Sequence, residues 1–267
     1  MTAALDRMIR NYDRTMVSGD YQQYFEGSGF YNFGYWDAHT RTQREASEAL
    51  VDRMVSRIAR PGEGSILDVA CGPGGTTRRL LRYYAPAQVT AINVSAAQIA
   101  EARRRAPGCA FHVMNATHLG FPDASFDALV CVEAAFHFDT RDRFLREAFR
   151  VLKPGGSLVL SDMLFRELYR PFSEYGQIPR ANLLPTLGAF GDRLGAAGFE
   201  AVEVLDVTRP CLGGFRRHVA RWGAGERRRG RMGIGKSIAA TVIGWGMATY
   251  FGFVLRTYLI ASAHKPA

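Results

Sequence analysis

Two groups of residues have types and spacings suited to chemistry. The first is Ser65 to Gly75, Ser-Ile-Leu-Asp-Val-Ala-Cys-Gly-Pro-Gly-Gly, in which Asp68 interrupts a short apolar run that ends in Gly72, Gly74 and Gly75. Glycines directly after a buried strand let the backbone approach a ligand where a Cβ would collide, and a helix that starts there aims its free amides at the ligand. An unpaired charge inside an apolar strand costs roughly several kcal/mol, so Asp68 is expected to accept from amides of the turn and to organise it around a cofactor. The second group is His137 with Glu133 and Asp162. His137 and Asp162 fall at or just past the carboxyl ends of two neighbouring predicted strands, where doubly wound proteins bind ligands. A histidine near neutral pKa, polarised by a carboxylate, can take the proton of an attacking hydroxyl. The competing reading is a structural histidine; Glu133 is the alternative base or a substrate-orienting group.

The elements that must position these groups alternate along the chain: strand 65–70, helix 76–84, strand 88–94, helix 95–105, strands 110–114 and 127–132, helix 138–152, strand 157–163, helix 187–197, strand 200–207 and a final antiparallel strand 256–262. Strands alternating with helices predict an α/β fold, a doubly wound, seven-stranded, mostly parallel sheet with right-handed crossovers. Ser95-Ala-Ala-Gln98 has the form of a capping box. Ahead of the core, apolar residues at helical spacing predict a helix over 3–19 and another over 42–59, stopped by Arg60-Pro61-Gly62. The expected division is an amino-terminal helical cap over 1–60, a cofactor-binding core over 61–163, and the rest of the core over 164–267 with lid insertions at 164–186 and 208–252.

Details inside this frame narrow the ligand. Strand 88–94 ends at the reach of a ribose-contacting position, but that position holds Asn93 and not an acid, and Thr77 stands where a dinucleotide fingerprint needs its third glycine. A nicotinamide cofactor is therefore disfavoured. Asn115-Ala116, after the third strand, can meet an adenine edge or simply cap a turn. Tyr21 to Trp36 carries eight aromatic residues, read either as packing of the cap or as a wall for substrate or cofactor.

The formal charge of +9 is concentrated between Gly214 and Lys236, which holds eight Arg or Lys against Glu226 alone, so it describes one surface and makes no general case for nucleic-acid binding. Gly230 to Ser237 matches the phosphate-loop expression G-x-x-x-x-G-K-S but follows a charged stretch and not a buried strand, and is rejected as a nucleotide site. Residues 237–255 lack charge and are read as a lid helix closing an apolar pocket, with a membrane span and a membrane-surface helix as the lesser alternatives. Cys71, Cys109, Cys131 and Cys211 have no paired or metal-ligand spacing and read as reduced thiols of a cytoplasmic protein, and the amino terminus lacks the apolar core of a signal peptide.

Tyr12-Asp13, Asn32-Phe33-Gly34-Tyr35-Trp36, Leu67 to Gly74, Ile92 to Gln98, Phe121 to Asp127 and Val151 to Gly156 together resemble class I S-adenosylmethionine-dependent methyltransferases, in particular the small-molecule (sugar and polyketide-type) O-methyltransferases of bacterial natural-product pathways. The resemblance runs over about 8–163 and returns at Tyr258 to Pro266. It implies a Rossmann-like fold with S-adenosylmethionine held by the turn at Gly72 and Gly74, with Asp68 at the cofactor's amino-acid end. It places ribose near Asn93 and Val94, adenine near Asn115 and Ala116, and Tyr12, Gln98, Val132 and Glu133 around the cofactor. His137 falls on the proposed base position and Asp162 on a supporting carboxylate. Tyr31, Tyr35, Trp36 and Phe136 are the candidate acceptor contacts, and no metal is required.

These readings predict methyl transfer to a hydroxyl of a hydrophobic small-molecule secondary metabolite, with S-adenosylhomocysteine as product. The alternatives are carbon or nitrogen methylation, a lipid or prenyl-type acceptor at a membrane surface, and a non-enzymatic membrane- or nucleic-acid-binding protein acting through 214–236. No nucleic-acid partner is expected; peripheral membrane contact through 214–255 and a homodimer are kept open.

Overall fold

The computed structural model describes residues 3–16, 19–173 and 177–267. Its centre is one seven-stranded sheet in the order β3-β2-β1-β4-β5-β7-β6. The strands are β1 (Ile66–Val69), β2 (Val89–Asn93), β3 (Ala110–Val113), β4 (Phe126–Val132), β5 (Leu152–Phe165), β6 (Glu200–Asp206) and β7 (Leu255–His264). The first five run parallel, and β7 enters antiparallel between β5 and β6. This is the doubly wound, mostly parallel sheet that the alternation predicts.

Successive residues of the central strands serve opposite faces, which is why these strands are mostly apolar, Asp68 in β1 and Asp162 in β5 being the buried acids among them. Ile66, Val130 and Val159 join one core with Leu50 and Met54 of α3 (Gln43–Val55), while Leu67, Leu129 and Leu160 join the other with Phe144 of α6 (Arg141–Val151) and Phe190 of α7 (Leu187–Ala196). Helices α4 (Gly75–Leu80) and α5 (Ala96–Arg105) connect the first three strands. Side-chain caps fix several starts: Thr42 and Glu45 form a capping box at α3, and Thr140 and Thr186 accept from the third amides of α6 and α7.

Several boundaries differ from expectation. The predicted helix 3–19 ends as α1 at Met16; Val17 and Ser18 lie outside the described residues, and Gly19 opens a short α2 (Gly19–Tyr24). Helix 42–59 stops at Val55. Lys153 to Gly156, between the predicted helix 138–152 and strand 157–163, belongs to β5, where Gly155 N–H donates to the carbonyl of Lys265 and Lys265 N–H to that of Gly156. Part of the predicted lid 164–186, residues 174–176, lies outside the described residues, and the rest holds short 3-10 turns at 167–172 and 180–182.

The 208–252 insertion is an antiparallel hairpin of α8 (Gly214–Arg228) and α9 (Ile234–Val254). Two of its glycines, Gly223 and Gly244, form the seam. A Cβ at Gly223 would meet Ser237 O at 2.7 Å and Thr241 N at 2.8 Å, and one at Gly244 would run into the carbonyl of Val219. The phosphate-loop match lies at this bend, with Ser237 Oγ donating to the Gly223 carbonyl. The lid reading of 237–255 needs correction: Met247 and Phe251 pack inward, but Ile238, Val242, Ile243 and Trp245 face solvent.

Candidate active site

The sheet order reverses between β1 and β4, and the backbone bends sharply there on both strands. Ala70 (φ 59°) and Glu133 (φ 48°), just beyond the ends of these neighbours, both hold the left-handed conformation that side chains disfavour. Such outliers at a topological switch point mark a functional crevice.

The three glycines after β1 have different reasons to be glycine. A Cβ on Gly74 (φ 92°) would lie 2.8 Å from Ala102 Cα of α5, and one on Gly75 would lie 2.6 Å from the carbonyl carbon of Gly29, so both are fixed by the protein's own packing. At Gly72 (φ 55°) the same test finds only Gln98 Oε1, at 3.9 Å. That open cradle fits a ligand. Asp68 differs from its expected role: among the described residues its carboxylate accepts from Thr77 Oγ1, at 2.6 Å, and from no amide of the turn. Thr77, the residue that breaks the dinucleotide fingerprint, is thus the partner of the buried acid. Burial pushes the Asp68 carboxyl up to about 7, against the pull of the Thr77 hydroxyl.

On the β2 side, Asn93 is tied at both ends. Its Nδ2 donates to Gln98 Oε1 at 2.9 Å, and its Oδ1 accepts from Ser95 N at 3.0 Å. The capping box is half realised: Ser95 Oγ accepts from Gln98 N, while the Gln98 side chain turns to Asn93 and to Asp13. Asp13 Oδ1 accepts from Gln98 Nε2 and from Ser95 Oγ, each at 2.8 Å. The acid absent at position 93 is therefore supplied to this strand end by α1. Val94 follows half-buried; Ala116 is buried at the end of β3, and Asn115 is exposed, its Oδ1 closing a turn onto Thr117 N and Oγ1.

His137 closes the 3-10 turn 135–137 that follows β4. Its Nδ1 lies 2.9 Å from the carbonyl of Gln177, which can only accept, so Nδ1 carries the proton. Nε2 then offers its lone pair to the Tyr12 hydroxyl at 2.7 Å. Burial lowers the His137 pKa to about 4 despite the Gln177 carbonyl, leaving a neutral imidazole of one tautomer. Burial first, then the charge of Glu133, raises Tyr12 to about 12.

The two carboxylates near His137 hold structure around it. Glu133 Oε1 accepts from Phe33 N at 2.6 Å and from the Tyr258 hydroxyl, linking cap, β4 and β7. Burial raises its carboxyl to about 8, against the pull of these donors. Asp162 does not touch His137, contrary to the expected pairing. It accepts from Arg141 Nε at 2.8 Å inside the core, where the side chains are 0% and 1% exposed. Arg141 Nη1 donates to the Asn182 carbonyl, and Asn182 Nδ2 donates to the carbonyls of Phe136 and Phe138, the residues flanking His137. Asp162 thus acts on the histidine through Arg141 and Asn182, which sequence reasoning missed, as it missed Gln177; a single arginine after a helix cap gives no signal of this.

The aromatic candidates divide. Phe136 lies tilted beside His137 with ring centroids 4.1 Å apart, and Tyr31 stacks on Tyr21 at 4.6 Å with its buried hydroxyl unpartnered among the described residues. Tyr35 lies under Arg53, and Trp36 packs on His218 of α8 while donating to the Phe33 carbonyl, so these two join cap, α3 and hairpin. A cleft of about 310 Å³ between cap and hairpin, lined by Arg41, His218, Trp222 and Arg231 among others, does not include His137. Among the described residues, no three His, Cys, Asp or Glu side chains gather as metal ligands, and the four cysteines are free.

A strand–glycine turn–helix with a buried acid, closed by an amino-terminal helix over the switch point, defines a nucleotide-type cofactor enzyme. The methyltransferase-domain family profile matches residues 67–160. An O-methyltransferase of Aspergillus nomiae is 31% identical over 194 residues, covering 67% of this chain and 84% of that protein. The 27-O-demethylrifamycin SV methyltransferase of Amycolatopsis mediterranei is 35% identical over 137 residues, which is 49% of this chain and half the length of that relative. Among solved structures, the crystal structure of the cyclase SpnF superposes with a TM-score of 0.70 at 27% identity, covering 95% of this chain and 93% of that one. The chain belongs to the class I S-adenosylmethionine-dependent methyltransferases. The non-enzymatic reading of the sequence falls with that assignment.

Proposed function

We propose that the enzyme methylates a hydroxyl of a hydrophobic small-molecule natural product, with His137 Nε2 as general base. The observation that carries this reading is that Nε2 already faces a hydroxyl, that of Tyr12 at 2.7 Å, while Nδ1 is committed to the Gln177 carbonyl. An acceptor hydroxyl that replaces Tyr12 meets the same lone pair in the same tautomer. O-methyltransferases among the relatives support oxygen as the acceptor atom.

The residues beyond the β1, β2 and β3 ends fit S-adenosylmethionine: the Gly72 cradle is open and Asp68 stands behind the turn, and Asn93, Val94, Gln98, Asn115 and Ala116 would hold the nucleoside. When bound there, the cofactor supplies a sulfonium methyl open to nucleophilic attack. Alignment supplies most of the rate enhancement in such a displacement. The protein contributes that alignment through the Arg141–Asp162–Asn182 network that fixes the His137 turn and through Glu133, which ties cap to sheet. Asp13, held by Gln98 and Ser95, keeps α1 seated over the crevice when the acceptor hydroxyl takes the place of Tyr12 at Nε2, and so excludes water.

The reading is tested by incubating the enzyme with S-adenosylmethionine and a panel of phenols, macrolide alcohols and amines. Methyl transfer to hydroxyl acceptors that collapses in His137→Ala, with S-adenosylhomocysteine binding intact, supports it. Transfer to amines or carbon that ignores the substitution overturns it, as does cofactor binding without any methylated product.

A further inference from the structure

The α8–α9 hairpin turns its apolar side outward. Ile238, Val242, Ile243, Trp245 and Phe253 are 58% to 67% exposed, whereas the buried residues of α9 ahead of its last turn are small, Ser237, Gly244 and Ala248, against α8. The patch continues past the helix: Arg166 N–H donates to the Val254 carbonyl and Tyr169 bonds Tyr250, bringing in Leu168 and Phe172, 47% and 59% exposed. Soluble monomers rarely leave so continuous an apolar surface bare.

Charge identifies what covers it. Glu226, the single acid between Gly214 and Lys236, is engaged by Arg229 and Arg231. Arg217, Arg221, Arg227, Arg228 and Lys236 then have no carboxylate partner among the described residues. A second copy docked hairpin to hairpin would oppose like charges, and a phosphate backbone would gain nothing from exposed isoleucine and valine. An anionic lipid surface satisfies both features, with apolar side chains below the headgroups and arginines among them.

We propose that this hairpin docks the enzyme on an anionic bilayer, with α9 lying in the plane of the interface. Although α9 has the length and composition of a membrane span, it does not cross. Its carboxyl end runs without a break into β7 inside the sheet, and the Gly223 and Gly244 contacts bind it to an arginine-rich partner helix.

The test is sedimentation of the full chain with phosphatidylcholine vesicles, with or without phosphatidylglycerol, at low and high salt; it reads lipid binding alone and is independent of the acceptor assignment. Binding is expected on the anionic vesicles, weakened by salt, with a blue shift of tryptophan emission that disappears in Trp245→Phe. Ile243→Glu, at a site 60% exposed, is expected to lower partitioning at least tenfold with an unchanged melting curve. Each of Arg227→Gln, Arg228→Gln and Lys236→Gln is expected to lower it about fivefold. The proposal is overturned by equal binding to neutral and anionic vesicles or by no binding to either. It is likewise overturned by light scattering that shows a dimer dissolved by Ile243→Glu, or by oligonucleotide binding that Ile243→Glu leaves intact while vesicles fail to compete.

Discussion

The hydroxyl of Tyr12 donates to Nε2 of His137 across 2.7 Å, joining the first helix to the turn beyond β4. His137→Ala is expected to lower kcat by about 10²–10⁴, the usual worth of a positioned base, without weakening S-adenosylhomocysteine binding. Because burial lowers the imidazole to about 4 in the free enzyme, the base stays deprotonated on acidification, and the acid limb of kcat/KM is expected to lie below the ordinary histidine value. An acid limb that persists unchanged in the residual activity of His137→Ala would remove His137 from the base position. Tyr12→Phe keeps the ring contact and loses the hydroxyl, and is expected to lower kcat less than His137→Ala.

Gly72 and Gly74 are two residues apart, and their alanine variants are expected to fail differently. Left-handed backbone costs an alanine about 1–2 kcal/mol at either position. At Gly74 the new Cβ also strikes α5, so the loss appears in the melting temperature. At Gly72 it enters the open cradle, so the loss appears as at least tenfold weaker calorimetric binding of S-adenosylhomocysteine to a folded protein. Equal cofactor affinity in wild type and Gly72→Ala would move the cofactor away from this turn.

Removing one member of the Arg141–Asp162 pair leaves a bare charge in the core. Arg141→Leu is expected to cost about 3–5 kcal/mol in denaturant unfolding, and the double variant Arg141→Leu/Asp162→Leu to recover part of that loss. A double variant no more stable than Arg141→Leu alone would contradict this account.

The Glu133 carboxyl is raised by burial from its ordinary 4.5 to about 8. Below pH 4.5 folded and unfolded chains both keep the proton, and the fold carries no penalty from this group. As pH rises through 8 the unfolded chain has already released its proton while the folded one resists, so stability falls across the window. Glu133→Gln does not titrate, and its melting temperature is expected to decline less between those limits than that of the wild type. Parallel curves would place the Glu133 carboxylate in a polar environment.

The core was readable from sequence because buried parallel strands are short apolar runs bounded by turns, as at Ile66–Val69 and Val89–Asn93. Strand ends carried the same information, and they located Asp68, Asn93 and His137 at the crevice. Partners were less legible. Asp13 reaches Gln98, and Asp162 reaches His137 by way of Arg141 and Asn182, through contacts between residues far apart in the chain and with no period or spacing to mark them. The hairpin misled for another reason: glycines at 223 and 244 break isolated helices but serve two helices that touch backbone to backbone.

The place of β7 has a consequence for how the chain is made. Among the described residues, strand β6 pairs with β7 alone, so residues 200–206 wait unpaired until 255–264 have left the ribosome. The greasy hairpin between them is synthesised during that wait. It emerges before the strand that anchors it, at a moment when a nearby bilayer or a chaperone can reach it first.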